Sequence, residues 1–239
     1  MDAITVRKKT TKQKILETAT HLFAAQGYTE TSVRELAAAV GVKEASMYNH
    51  FPSKNAILEH ILTEYSQITQ NSFEEDKLFA LKENPTADGI LSCMRLTFPE
   101  GKEEYYFKQL YVILQEQHRN PIVRKFMSET FILGTERVSQ TIIEKLKEFN
   151  KIRPDTDVDF WVKTHSSLIY AFASRMLLGI GDSAAEFSGK NLLALLRSMY
   201  DTMLKVCSVE NSPTRSHKQR QRTTDRARTK KAEKAKTVK

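Results

Sequence analysis

Cysteine is nearly absent from this chain of 239 residues, which excludes a disulfide framework. Cys93 and Cys207 are far apart in the sequence and predict free thiols in a reducing cytoplasm. Hydrophobic runs are short as well, because none reaches the about 18 residues that a membrane span needs. No hydrophobic signal segment follows Met1. We therefore expect a cytoplasmic protein that neither spans a membrane nor carries a conventional secretion signal.

Motifs for catalysis, cofactors and metals are also missing. The six histidines show no metal-ligand spacing. The sequence contains no nucleophile elbow, no phosphate-binding glycine loop and no His-Glu-x-x-His zinc motif. These absences predict no metal site, no cofactor and no enzyme activity. The alternative is a set of catalytic groups dispersed over several helices.

Glycine and proline are scarce, with eight and six residues, and long stretches of the chain have helical patterns. Hydrophobic residues make up 40% of the sequence, enough for a sizeable core, so we predict an all-α fold. Pro121 should begin a helix at its first position, while Gly134 leaves open whether that helix is one continuous rod. Outside the segment analysed below, the predicted helices lie near residues 12–25, 54–73, 77–82, 88–98, 103–118, 121–150, 156–179 and 184–207.

The net charge of +8 is distributed unevenly. Residues 214–239 contain 11 Lys and Arg against 2 Asp and Glu, a net charge of +9, whereas residues 1–55 carry +3 and residues 56–213 carry −4. The segment 211–239 has no aromatic and almost no aliphatic residue, so we expect it to be disordered. A basic arm with Arg7, Lys8 and Lys9 occupies residues 1–11. Basic segments gain nonspecific affinity for nucleic acids, and whether the tail contacts DNA or only solubilises the chain stays open.

The most informative segment is residues 32–54. Ser32 and Glu35 have the spacing of a capping box at a helix start, and Gly41 is suited to the left-handed residue that ends a helix. The hydrophobic residues between them repeat at the spacing of one helix face, namely Val33, Leu36, Ala37 and Val40. The pattern predicts a short amphipathic helix followed by a tight turn.

A second short helix should follow this turn, with Met47 and Phe51 facing the core one helical turn apart. Pro52 ends that helix, and Ser53 can cap another that begins at Lys54. A helix of about eight residues is roughly 12 Å long, which fits the major groove of DNA. Two short helices with a polar outer face predict a helix-turn-helix DNA reader.

The order and distances of these residues resemble the TetR family of transcriptional regulators. The resemblance covers residues 12–62, about a fifth of the chain. The residues that carry it are Phe23-x3-Gly27-Tyr28, Thr31-Ser32, Leu36-Ala37-x2-Val40-Gly41-Val42, Tyr48-x-His50-Phe51 and Lys54.

Together with the composition, the resemblance implies four segments. The basic arm at 1–11 precedes a three-helix helix-turn-helix DNA-binding head at 12–62. A C-terminal helical ligand-binding and dimerisation domain would then occupy 63–210, and the disordered basic tail 211–239.

The resemblance also implies two groups of DNA-binding residues. Phosphates would be contacted by Thr31, Ser32, Tyr48, His50 and Lys54. Base edges would be read by Arg34, Lys43, Glu44, Ala45, Ser46 and Asn49. Arginine can pair with guanine and asparagine with adenine, and an alanine methyl can pack on thymine. Glu44 is costly in an anionic groove unless it meets a cytosine amine or pairs with a neighbouring lysine.

In the C-terminal half, the resemblance implies a homodimer in which helices 156–179 and 184–207 of two chains form a four-helix bundle. The alternative is that these helix faces pack within one chain. It further implies a pocket for an unknown small-molecule effector, although aromatic residues at helical spacing are also typical of a core. The candidate lining residues are Phe98, Tyr105, Phe107, Tyr111, Phe126, Phe131, Trp161 and His165.

These features predict a transcriptional regulator that binds double-stranded DNA. The leading hypothesis is a ligand-responsive repressor that binds a palindromic operator as a dimer. The alternative is a constitutive or architectural DNA-binding protein whose helical domain serves dimerisation or a protein partner.

Overall fold

A computed structural model describes residues 9–70, 75–94, 99–178 and 190–211. Most of the basic arm, the tail beyond residue 211 and the candidate pocket residue Phe98 lie outside these ranges. Among the described residues, no helix combines the length and the apolar composition that a bilayer crossing requires.

The described residues fold into α-helices, and an isolated antiparallel bridge joins Ile152 to Ser208. This architecture confirms the predicted all-α fold class. In chain order the helices are α1 (Thr11–Gln26), α2 (Val33–Val40), α3 (Glu44–Tyr48), α4 (Lys54–Gln70), α5 (Glu75–Leu78), α6 (Ala80–Glu83), α7 (Ala87–Cys93), α8 (Glu103–Glu116), α9 (Pro121–Phe126), α10 (Leu133–Glu148), α11 (Val158–Leu177) and α12 (Lys190–Cys207).

Helix ends follow local capping chemistry. Helix α1 begins with a full capping box, in which the Thr10 hydroxyl accepts from the Gln13 amide at 3.2 Å and the Gln13 side chain accepts from the Thr10 amide at 2.9 Å. Pro121 occupies the first turn of α9 behind the side-chain cap Asn120, as predicted. Gly134 does not break the rod, because a π-helical segment, Met127–Ile132, joins α9 to α10 continuously.

Two hydrophobic clusters stabilise the described chain. The first contains buried residues of α1–α4, such as Phe23 and Leu58, together with Val112, Ile113 and Leu114 of α8. The second lies among α7, α10, α11 and α12 and surrounds Tyr200. Because the first cluster contains residues on both sides of position 62, the helix-turn-helix head is packed directly on α8.

Candidate nucleic-acid interface

The start of α2 is fixed by Ser32, whose hydroxyl accepts a hydrogen bond from the Glu35 amide at 3.1 Å. The other half of the predicted capping box does not form. The Glu35 carboxylate instead accepts from the Gln26 side chain at 2.8 Å, which ties α2 to the end of α1. A nearby amide donor on α1 therefore replaces the Ser32 backbone amide as the partner of Glu35.

The turn between α2 and α3 depends on Gly41, which has φ 79° and ψ 34° in the left-handed region. Its amide and that of Val42 both donate to the Ala37 carbonyl at 3.0 Å, which closes the end of α2. The predicted left-handed turn at Gly41 is therefore confirmed.

Replacing Gly41 by alanine should lower the free energy of unfolding by about 1 kcal/mol, because residues with a Cβ are disfavoured in this region. Crowding does not contribute, since a Cβ there would meet no atom within 4 Å. Gly134, inside α10, is the matched control with equally open space. Gly134→Ala should raise the unfolding free energy by about 1 kcal/mol. Urea unfolding of both variants measures the difference, and a loss in both would contradict this explanation.

Helix α3 has five residues, Glu44–Tyr48, and is shorter than the predicted eight because residues 49 and 50 form a turn before Pro52. Met47 and Phe51 are buried beneath it, at 1% and 5% exposure, which confirms their predicted orientation. These two side chains anchor the helix from inside and leave its outer face to solvent.

Most of the predicted DNA-binding residues lie on this outer surface. Ser46 is half-buried, and the exposed members are Ser32, Arg34, Lys43, Glu44, Ala45, Tyr48, Asn49 and His50. Glu44 is in the first turn of α3, where a carboxylate favours the positive end of the helix dipole. Within the described part of the chain it forms no ion pair, so the predicted pairing with a neighbouring lysine is not seen.

Thr31 was predicted to contact a phosphate, but its side chain is completely buried. Its hydroxyl donates to the Gly27 carbonyl at 2.8 Å and accepts from the Gln26 side chain at 3.2 Å. The residue therefore braces the loop between α1 and α2 from inside.

Lys54 also has partners inside the protein. Its ammonium donates to the carbonyls of Tyr28 at 2.8 Å, Thr29 at 3.3 Å and Thr31 at 2.9 Å. It lies 4.4 Å from the centroid of the Tyr28 ring, a cation–π distance. Burial lowers the pKa of Lys54, and the negative charge of Glu116 at the end of α8 raises it in part.

The predicted effector-pocket residues do not come together as one site. Phe126 and Phe131 pack on the first cluster and Trp161 on the second, and His165 is buried against Tyr200 of the second cluster. Phe107 and Tyr111 of α8 are half-buried. Two surface depressions of the described residues, about 560 and 630 Å³, lie along α12 and α11, and neither is lined by any of these residues.

A polar contact between α4 and α8 had no signal in the sequence. Tyr105 donates to the Glu64 carboxylate at 2.7 Å, and the fully buried Gln109 donates to the same oxygen at 2.9 Å. Burial, followed by the bond to Glu64, raises the pKa of Tyr105 well above its usual value. Tyr105 and Gln109 are one helical turn apart, so the sequence places them on the same face of α8. It does not identify Glu64 as their partner, because Glu64 lies about forty positions earlier in the chain.

Comparison with known proteins agrees with this geometry. Residues 15–61 match the family described as bacterial regulatory proteins, tetR family. The chain is 28% identical over 140 residues to the probable HTH-type transcriptional regulator YttP of Bacillus subtilis, covering 58% of this chain and 65% of that protein. It is 26% identical over 160 residues to IcaR of Staphylococcus epidermidis, a negative transcriptional regulator of the biofilm operon icaADBC, covering 66% and 72%. The match to YttP thus spans just under two thirds of that relative.

Solved structures share the fold. The TetR-family regulator PfmR of Thermus thermophilus has a TM-score of 0.54 at 23% identity, covering 82% of this chain and 97% of that one. GusR of Salmonella enterica has a TM-score of 0.54 at 22% identity, covering 82% and 95%. Residues 15–61 thus match the TetR family of transcriptional regulators, the named relatives are transcriptional regulators, and the described residues share the fold of TetR-family structures.

Proposed function

We propose that the protein is a cytoplasmic repressor that binds a palindromic operator as a homodimer and responds to a small-molecule effector. The observation that carries the DNA-binding part is the outer face of α2 and α3, where Tyr48 is half-exposed above the buried anchors Met47 and Phe51. Repression is supported by IcaR, which is by name a negative regulator.

On this face we assign phosphate contacts to Ser32, Tyr48 and His50. Ser32 begins α2, where free backbone amides and the helix dipole favour an anion. Base reading falls to Arg34, Lys43 and Asn49, which are exposed donors. The small side chains of Ala45 and Ser46 allow close approach to base edges, and Glu44 suits a cytosine amine.

Replacing Arg34 by alanine should weaken operator binding by about 1–3 kcal/mol and relax the preference at one base pair. Tyr48→Ala should instead weaken binding to all sequences, because a phosphate contact carries no sequence information. Titrations of operator and random duplexes at several salt concentrations separate the two effects.

Tyr48→Phe is the matched control, since it keeps the ring and removes only the hydroxyl. If Arg34→Ala weakened operator and random DNA by the same factor, Arg34 would not read a base, and the proposed orientation of α2 and α3 on DNA would be wrong.

Dimerisation is supported by the outer surface of the last two long helices. Seven large hydrophobic side chains of the described residues are strongly exposed, and four belong to α11, α12 or the residue after α11, namely Phe160, Leu178, Leu195 and Val206. The surface depressions lie along the same helices. Large exposed hydrophobic side chains concentrated on two neighbouring helices are typical of an interaction surface, so we assign this surface to a second copy of the chain.

An effector response is supported by two relatives in fold. A regulator from Saccharomonospora viridis was solved in complex with choline, with a TM-score of 0.54, and FrrA is named a flavonoid-responsive regulator, with a TM-score of 0.56. In this chain, α8 packs against α1, α4 and α11. We propose that α8 transmits the effect of ligand binding to the head as a shift between two head separations.

The contact of Glu64 with Tyr105 tests how firmly α8 holds α4, the helix that leads out of the head. Glu64→Gln and Tyr105→Phe should each lower the unfolding free energy by about 1–2 kcal/mol, because the first removes the charge on the acceptor and the second removes the donor of a charge-assisted bond at a part-buried site. The double variant should lose less than the sum of the two, since both substitutions weaken the same bond. Urea unfolding in a double-mutant cycle measures the coupling, and strict additivity would contradict the bond.

A constitutive or architectural DNA-binding protein remains the second candidate function. It predicts an operator affinity that no metabolite changes, which a thermal-shift screen followed by DNA titration would detect.

A further inference from the structure

The Lys54 ammonium donates hydrogen bonds to three carbonyls of the loop between α1 and α2. A lysine ammonium has three N–H donors, and three carbonyls, of Tyr28, Thr29 and Thr31, lie at 2.8, 3.3 and 2.9 Å from Nζ. A phosphate contact would therefore require at least one of these hydrogen bonds to break. Such a contact would add little to the affinity for DNA, because each new hydrogen bond to a phosphate oxygen would replace an existing hydrogen bond to a carbonyl.

The same loop is tied to the start of α4 by a neighbouring residue. The Tyr28 hydroxyl donates to the side chain of Asn55, which follows Lys54 directly. The Tyr28 ring lies below the Lys54 ammonium and stacks edge-on against Phe23, with centroids 5.1 Å apart. Loop and helix start thus form one packed unit through contacts more than twenty positions apart in sequence.

This unit determines where α2 begins. Thr31, the last carbonyl partner of Lys54, is followed by Ser32, the N-cap of α2. Helix α2 then leads through Gly41 into α3, so the position of the outer face depends on the loop that Lys54 holds. Without the ammonium, three carbonyls at a part-buried site would lose their partner, and of these polar links only the Tyr28–Asn55 bond would still tie the loop to the start of α4.

The electrostatic surroundings also suit a structural cation. Glu116, the last residue of α8, is buried at 5% exposure, and its charge raises the pKa of both Lys54 and Tyr28. Burial lowers the pKa of Lys54 and Glu116 counteracts this, which helps keep the ammonium charged. The loop contact therefore lies where the head meets α8.

We infer that Lys54 is a positioning residue, which sets the α2–α3 face for DNA by holding the carbonyls of residues 28, 29 and 31, and is not a phosphate contact. This inference rests on the proposed DNA-binding function of that face.

The test compares three variants in operator and random-duplex titrations over a range of salt concentrations. Lys54→Met should weaken operator binding about tenfold or more and leave random-duplex binding and the salt slope nearly unchanged. Lys43→Met is the matched control: it removes an exposed lysine with no side-chain cap bond from the same face, so it should relax the preference at one base pair and leave hydrogen exchange of the α2 amides unchanged. Lys54→Arg should not restore operator binding, because a planar guanidinium cannot direct three donors at converging carbonyls.

Hydrogen exchange without DNA gives an independent measure, since Lys54→Met should speed exchange of the amides of α2. Two results would overturn the Lys54 inference alone, provided that the unmodified protein prefers its operator. One is a salt slope lowered by about 0.9 in Lys54→Met, and the other is full operator binding by Lys54→Arg. An unmodified protein that does not distinguish operator from random DNA would refute the proposed function and this inference with it.

Discussion

Replacing Leu195 by glutamate should separate the protein into monomers and lower its operator affinity at least about a hundredfold. Leu195 and Val206 are eleven positions apart on α12, three helical turns, and both are exposed on the same side. A carboxylate there would have to be buried against the partner, at a cost of several kcal/mol. Each head would then bind one half-site alone and lose the high effective concentration that the linked second head provides.

Leu133→Glu is the matched control, because Leu133 has nearly the same exposure, 47% against 49%, and lies on α10, which is not one of the two helices of the proposed interface. Sedimentation and operator titration of both variants decide the result. A Leu195→Glu protein that stays dimeric would place the interface elsewhere, and an unmodified protein that is monomeric at all concentrations would refute dimerisation.

The helix-turn-helix head was predictable from sequence because its signals are local. A cap at Ser32, a left-handed Gly41 and core residues at Met47 and Phe51 each act within one or two helical turns, and all take the predicted conformation. The length of α3 was overestimated, since the pattern of buried residues does not distinguish a last helical turn from a tight turn.

The roles of Lys54 and Thr31 could not be predicted in the same way. Lys54 is polar and begins a helix, which is typical of a solvent-facing cation, but its partners lie more than twenty positions earlier. Thr31 carries a hydroxyl, which is typical of a surface residue. It can be buried because that hydroxyl hydrogen-bonds to the Gln26 side chain and the Gly27 carbonyl. Both depend on how α1 and α4 approach, which no local pattern encodes.

The C-terminal half was the least predictable part. Aromatic residues at helical spacing indicated one pocket, whereas Phe126 and Phe131 pack on the first cluster and Trp161 packs on the second. Conversely, Gln109 and Glu116 are polar residues of α8, which the sequence pattern places on the exposed surface of a helix, but both are buried. Hydrophobic periodicity identifies a buried face only when the partners are apolar, so a polar contact between helices has no such signal.

The unfolding free energy should fall by about 3 kcal/mol between pH 6.5 and pH 4 because of His165 alone. The imidazole is 1% exposed, its Nδ1 is hydrogen-bonded to the Tyr200 hydroxyl at 2.9 Å, and its Nε2 has no partner among the described residues. Burial lowers the pKa of His165 to about 4, against about 6.5 in an unfolded chain.

The sign of this effect follows from proton uptake. Between these two pKa values the unfolded chain binds a proton that the folded imidazole does not, so falling pH favours unfolding by about 1.4 kcal/mol per unit. Above pH 6.5 both states are neutral, and below about pH 4 both are charged, so the dependence flattens at each end. His165→Gln should remove this component, and the difference between its urea-unfolding profile and that of the unmodified protein cancels all other titrations. Identical pH profiles would show that the pKa of His165 is the same in the folded and unfolded states, and an imidazole NMR titration centred near pH 6.5 would show the same.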